Sequence, residues 1–144
     1  MSTVATLLKR FPEKGIIQVS PTNSVYEAIK VMKDHNISSL LIIDDEDSFV
    51  GILSERDVTW KVALEGLNPK TTKVGEVMTI RSKIRTVTES TTLKDCLDLM
   101  KEINVRHLPV IKNGEPIGIV SIKDIALTYD LLVSSLEAYI TGQR

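Results

Sequence analysis

Ser54-x-x-Asp57 and Ser121-x-x-Asp124 are the residues of this chain whose types and spacing carry a chemical reading. The first pair closes the segment Gly51-Ile52-Leu53-Ser54-Glu55-Arg56-Asp57, and the second closes Gly118-Ile119-Val120-Ser121-Ile122-Lys123-Asp124. A hydroxyl followed three residues later by an acid is first of all a helix start. The two side chains there satisfy backbone N–H groups that the first turn leaves unpaired. The chain uses the same pattern at Ser24 with Glu27 and at Thr92 with Asp95, where no ligand is proposed. In the two glycine-led segments the pattern follows a strand, and a glycine lets a ligand or another backbone approach closely. A helix N-terminus at that point offers free N–H groups and a positive dipole end, which suits phosphate. A carboxylate in the first turn offers two acceptor oxygens spaced for two neighbouring hydroxyls, as on a ribose. Ser54 and Ser121 are then caps, phosphate donors, or both. Arg56 and Lys123 hold matching positions and either neutralise phosphate or are simply solvated.

The elements that must position these residues are also duplicated. Ile16 matches Ile84, Val19 matches Val87, Met32 matches Met100, Asn36 matches Asn104 and Ile43 matches Ile111, all at one offset. One residue is lost from the following loop before Gly51 matches Gly118. Each copy opens with a β-prone piece, Ile16–Val19 or Ile84–Val87. A helix follows: Val25, Ala28, Ile29 and Met32 form one apolar face, as do Leu93, Cys96, Leu97 and Met100. Cys96 replaces Ala28 on that stripe, which makes it core filler rather than a nucleophile. Asn36 and Asn104 suit a left-handed helix end. Two strands joined by a polar turn come next, Ile37–Ile43 with Phe49–Leu53 and Val105–Ile111 with Pro116–Val120, and each reads as a hairpin. The last helix of each copy begins at Ser54 or Ser121. The unit is β-α-β-β-α, and two such units are expected to pack about a pseudo-twofold axis with ligand clefts between them. Val4-x-x-Leu7-Leu8 and Val74-x-x-Val77-Met78 are matching apolar turns ahead of the two copies. Ile125–Ile140 forms a further amphipathic helix whose stripe of Leu132, Leu136, Tyr139 and Ile140 needs cover.

The chain has 144 residues, 42% of them apolar and 26% charged, which fits one compact globular domain. A net charge of −1 gives no field that favours nucleic acid or anionic membranes. No apolar run approaches the roughly 20 residues that span a bilayer, and the opening residues lack a secretory-signal pattern. The single cysteine fits a reducing compartment, so a cytoplasmic location is expected. His35 and His107 fall at different places in the repeat. No Cys/His cluster has metal-ligand spacing and no GxxxxGK[ST] loop occurs. The expectation is a protein that is not an enzyme, with no metal site and no obligatory cofactor.

The duplicated unit resembles the cystathionine-β-synthase (CBS) domain, and two in tandem look like a CBS pair, or Bateman module. The features that carry the resemblance are Val77-Met78-Thr79, Val105-Arg106-His107-Leu108-Pro109-Val110 and the two Gly-Ile-x-Ser-x-x-Asp segments, over roughly Val4 to Ile125. Ser54-Glu55-Arg56-Asp57 with Lys61-Val62 and Leu136-x-x-Tyr139-Ile140-x-Gly142 are similar to small stand-alone CBS-pair proteins. Val58 and Trp60 stand where many relatives carry an aromatic and a basic residue.

The resemblance implies an α+β fold of two tandem CBS units. Unit one is expected over residues 1–66, a linker over 67–73, unit two over 74–126 and a C-terminal helix over 127–144. It implies a regulatory module binding AMP, ADP or ATP, or else NAD(H) or S-adenosylmethionine, in clefts between the units. Asp57 and Asp124 would hold ribose hydroxyls, and Ser54 and Ser121 would face phosphate, with Arg56 and Lys123 beside them. Ser39, Leu40 and Leu41 in copy one, and His107, Leu108 and Pro109 in copy two, would wall the base pockets. Ile16, Ile17, Ile84 and Arg85 open the first strands, where backbone groups would contact the base, and Arg106 is a candidate phosphate ligand. Alternating strand faces predict that only one of Arg106 and His107 turns into a cleft. Copy two, with Arg106-His107 where copy one has Ser38-Ser39, is expected to hold the better-formed site. The expected assembly is a homodimer that signals energy state to a protein target, without contact to nucleic acid or membrane. The alternative is a ligand-free interaction dimer whose Ser-x-x-Asp segments act only as helix caps.

Overall fold

The computed structural model describes residues 2–11 and 16–142, without the side chains of residues 130–139. Thr3 precedes a short helix α1, Val4–Arg10. Copy one then runs β1 (Gln18–Val19), α2 (Val25–His35), β2 (Ser39–Ile43) and β3 (Phe49–Ser54). A single α-turn, α3 (Glu55–Asp57), continues as a π-helix over Val58–Ala63. The inter-copy segment forms α4 (Val74–Val77), β4 (Thr79–Ile80) and a 3-10 turn over Arg81–Lys83. Copy two follows with α5 (Leu93–Ile103), β5 (His107–Lys112), β6 (Glu115–Ser121) and α6 (Ile122–Thr141).

Local chemistry explains the repeated elements. Ser24 Oγ accepts from the Glu27 backbone N–H while the Glu27 carboxylate accepts from the Ser24 N–H, so α2 begins in a complete capping box. Bonds from the Asn23 side chain and from Ser24 hold the Glu27 carboxyl below its ordinary value. Thr92 caps α5 with the one bond from Asp95 N–H. Asn36 and Asn104 end α2 and α5 at φ 52° and 54°, the left-handed conformation expected of asparagine there. Cys96 is fully buried, and desolvation pushes its thiol up to about 11, which suits filler and not a nucleophile.

Each hairpin is antiparallel, and both shift register at the same place, between Ile42 and Ile43 and between Val110 and Ile111. In copy one, β1 lies parallel to β2, with Gln18 opposite Leu41. In copy two the corresponding pairing shrinks to a single parallel bridge between Val87 and Val110, so Ile84–Val87 is not a regular strand.

The copies exchange their leading segments. Val74, Val77 and Met78 pack in the copy-one core with Val25, Ala28, Met32, Leu40 and Leu53. Val4, Leu7 and Leu8 pack in the copy-two core with Cys96, Met100, Leu108 and Val120. The backbone bonds repeat the exchange at equivalent positions. Val74 N–H donates to Asn23 O and Gly75 N–H to Pro21 O, just as Val4 N–H donates to Thr91 O and Ala5 N–H to Glu89 O. The 67–73 boundary divides the sequence, but packing crosses it in both directions. β4 completes a four-stranded copy-one sheet in the order β1-β2-β3-β4, whereas β5 and β6 stand as a two-stranded sheet. A third apolar cluster joins the units, with Leu41, Ile43 and Phe49 of copy one against Ile84, Ile111 and Ile119 of copy two.

Candidate functional site

Two clefts open where the units meet, and each takes its aspartate from one copy and most of its far wall from the other. The Asp57 cleft, about 430 Å³, joins Ser54, Arg56 and Asp57 to Ile84, Arg106, His107 and Pro109. The Asp124 cleft, about 200 Å³, joins Ser121, Lys123 and Asp124 to Ile17, Ser39, Arg106 and His107. The first falls within the ~300–1,000 Å³ usual for small-molecule sites. Of the residues expected at a site, all but Ile16 and Leu40 therefore line one cleft or both.

Leu40 does not. Side chains alternate along a strand, so Ser39 and Leu41 turn toward the Asp124 cleft while Leu40 is fully buried in the copy-one core. The expectation that only one of Arg106 and His107 enters a cleft is also corrected, because both line both clefts. β5 begins only at His107, so Arg106 precedes the region where strand alternation holds. His107 Nε2 lies 2.6 Å from Ser38 Oγ of copy one, a direct bond between the units.

The motif glycine is explained by packing. A Cβ on Gly51 would stand 2.6 Å from the Thr79 carbonyl oxygen and 2.8 Å from Met78 Sδ. The closely approaching group is therefore the backbone of β4. At Gly118 the nearest atom is the end of the Leu8 side chain, at an ordinary 3.4 Å.

Asp57 is 6% exposed and its carboxylate is fully engaged. Ser54 N–H and Oγ donate to Oδ2 at 3.0 and 3.2 Å, and Asp57 N–H donates to Ser54 Oγ at 3.2 Å, a complete capping box. Thr79 Oγ1 donates to Oδ1 at 3.2 Å, and Lys61 Nζ forms an ion pair with Oδ1 at 2.9 Å. Lys61 Nζ also donates to Val77 O at 3.1 Å, which ties it to the end of α4. Asp124 is 3% exposed, and its backbone N–H donates to Ser121 Oγ at 3.1 Å. The place of Lys61 is taken in copy two by Thr128, whose hydroxyl donates to the Asp124 carbonyl oxygen at 3.0 Å.

Electrostatics separate the clefts further. Lys83 and Arg85 line the Asp57 cleft beside Arg56 and Arg106. Arg56 donates to Asn104 O at 2.7 Å across the unit boundary, and its guanidinium lies 5.3 Å from the Trp60 ring centroid. Trp60 lines this cleft too and brings an aromatic face to it. Thr79 and Lys83 were not among the expected ligand-contacting residues. Thr79 belongs to a motif that marked the family, and the exchanged flank is what carries it to Asp57. Among the described residues, no three of His, Cys, Asp and Glu converge as metal ligands, and no helix is long and apolar enough to cross a membrane.

Tandem β-α-β-β-α units with exchanged flanks and twin clefts at their junction define a paired module. The sequence profile of the CBS domain matches residues 8–63 and again 74–129, and the chain belongs to the CBS domain family, as a tandem pair. It is 37% identical over 126 residues to the CBS domain-containing protein CBSX3, mitochondrial, of Arabidopsis thaliana. That alignment covers 83% of this chain and 61% of the relative, so the chain spans about three fifths of that protein's length. A CBS-domain protein from Burkholderia ambifaria MC40-6 superposes with a TM-score of 0.82 at 40% identity, over 89% of this chain and 93% of that one. A CBS domain pair solved in complex with 5′-methylthioadenosine and S-adenosyl-L-methionine superposes with a TM-score of 0.75 at 26% identity, over 90% of this chain and 97% of that one.

Proposed function

We propose that the protein is a non-catalytic regulatory module that binds adenine nucleotides in the clefts between its units and signals to a partner. The observation that carries this reading is the placement of both Ser-x-x-Asp helix openings at inter-unit clefts, each faced by the other copy. A ligand seated there touches both units and can shift their packing by no more than its differential affinity for the two arrangements. The cations Arg56, Lys83, Arg85 and Arg106 suit phosphate at the Asp57 cleft, and Lys123 with Arg106 suits it at the other. A structural relative bound to two adenosine derivatives supports the ligand class. Leu127, Tyr129 and Ile140 are exposed along α6, while the side chains of Leu132, Leu136 and Tyr139 lie outside the described residues, and a homodimer is the first choice of assembly.

The ligand-free reading has one observation in its favour: the saturated Asp57 carboxylate needs no ligand to be satisfied. Mass spectrometry of small molecules released from the purified protein, followed by a thermal-shift panel of adenine compounds, separates the two. Saturating ligand at about 100 times its Kd raises stability by about 2.7 kcal/mol. A panel of AMP, ADP, ATP, NADH and S-adenosylmethionine that leaves the melting temperature unmoved sinks the nucleotide reading. Asp124→Glu keeps an acid at the helix start while displacing the carboxylate, so it is expected to melt normally without ligand yet lose the share of nucleotide-induced stabilisation that comes from the Asp124 cleft.

A further inference from the structure

The Asp57 and Asp124 motifs match in sequence, yet only Asp57 is gripped by a lysine one turn further along its helix. An ionised carboxylate offers about four lone-pair positions. At Asp57 four donors are already in place: Ser54 N–H, Ser54 Oγ, Thr79 Oγ1 and Lys61 Nζ. A sugar diol would have to evict two of them. The Ser54 donors belong to the helix cap, so Thr79 and Lys61 are the pair at issue. Exchanging the ammonium for a neutral hydroxyl loses a charge-assisted bond. Lys61 is also held at Val77 O, so it cannot swing aside without leaving that carbonyl. Lys83, Arg85 and Arg106, by contrast, have no carboxylate partner among the described residues and line the same cleft.

We infer that Lys61 is a specificity-determining residue of the Asp57 cleft. With Thr79 it occupies the acceptor atoms that a ribose would need. The cleft therefore recognises a nucleotide through its phosphates and base and is blind to the 2′- and 3′-hydroxyls. In copy two Thr128 stands in place of Lys61 and bonds the Asp124 carbonyl oxygen. This inference rests on the nucleotide-binding reading and narrows it.

The test compares ATP with 2′,3′-dideoxy-ATP by calorimetry on the full chain carrying Asp124→Asn, which removes the other aspartate. Equal affinity for the two nucleotides is expected, within about twofold. Adding Lys61→Thr is expected to favour ATP about tenfold while leaving the dideoxy compound unchanged, whereas Lys61→Arg stays blind to the diol. A loss of packing alone would weaken both nucleotides together and leave their ratio at one. If the Asp124→Asn protein already prefers ATP about tenfold, and Asp57→Asn erases the preference, Asp57 reads the diol with Lys61 in place and the inference falls. It also falls if wild type binds ATP but the Asp124→Asn protein binds neither nucleotide, an outcome that leaves the broader reading standing. Wild type that binds no adenine compound removes both.

Discussion

Copy one borrows a helical turn and a strand from the segment that precedes copy two, whereas among the described residues copy two borrows the helix α1. β4 pairs with β3 so that Gly51 faces Ile80 and Ile52 faces Thr79. Its counterpart ahead of copy one stays helical through Arg10, and among the described residues no strand of that flank pairs with β6. The difference begins in local sequence. Met78-Thr79-Ile80 is β-prone, while Leu7-Leu8-Lys9-Arg10 continues a helix with two basic residues in its last turn. Its consequence reaches the clefts, because β4 brings the Thr79 hydroxyl to Asp57 and closes the space over Gly51. Two identical motifs thus acquire different surroundings from flanks that were duplicated but not conserved in shape.

The largest expected effect tests the exchange itself. Leu7, 3% exposed in the copy-two core, should cost about 2–5 kcal/mol when truncated to alanine. Hydrogen exchange should then rise on α5 and β5 more than on α2 and β2. Equal loosening of both units, or loosening of copy one alone, would contradict the exchanged packing. Next comes the glycine pair. Gly51→Ala forces β4 away and should cost about 1–3 kcal/mol in urea unfolding, while Gly118→Ala meets only a flexible leucine end and should stay within about 0.5 kcal/mol. Similar losses at both positions would remove the asymmetry of the sheets.

The helix starts give a smaller contrast. Ser24→Ala breaks a reciprocal box and Thr92→Ala a single bond, so both should cost about 1 kcal/mol, with Ser24 the larger. Glu27 adds a pH signature, since its carboxyl is held below the ordinary value of 4.5. Its contribution is present above that value and is lost as pH falls through the lowered one. The Ser24 and Thr92 variants should therefore differ less in melting temperature at pH 3 than at pH 7. Last, Cys96 should resist alkylation at pH 8 in the native protein, because burial keeps the thiol protonated up to about 11. With its folded value raised from 9.0, stability should decline as pH rises between 9 and 11.

Much of the architecture was legible because its causes are local. Apolar stripes at helical spacing, Ser24 with Glu27, the asparagines at φ above 50° and the hairpin turns each depend on residues within a few positions of one another. The duplication made these signals stronger by stating them twice. It did not settle every orientation: Leu40 is expected at a pocket wall, whereas strand alternation sends it into the core.

What the amino-acid order determined by itself was the repeat, its capped helices and hairpins, and the four residues of the two Ser-x-x-Asp motifs. Only tertiary structure decided that each motif faces the opposite copy, that Gly51 yields to β4, and that Thr79 of the exchanged flank reaches Asp57. The reason is physical. Capping, periodicity and the Asp57–Lys61 pair act over a few residues, but Thr79 and each cleft's far wall come from segments tens of residues away, brought together by burial of apolar surface that leaves no local mark in the chain.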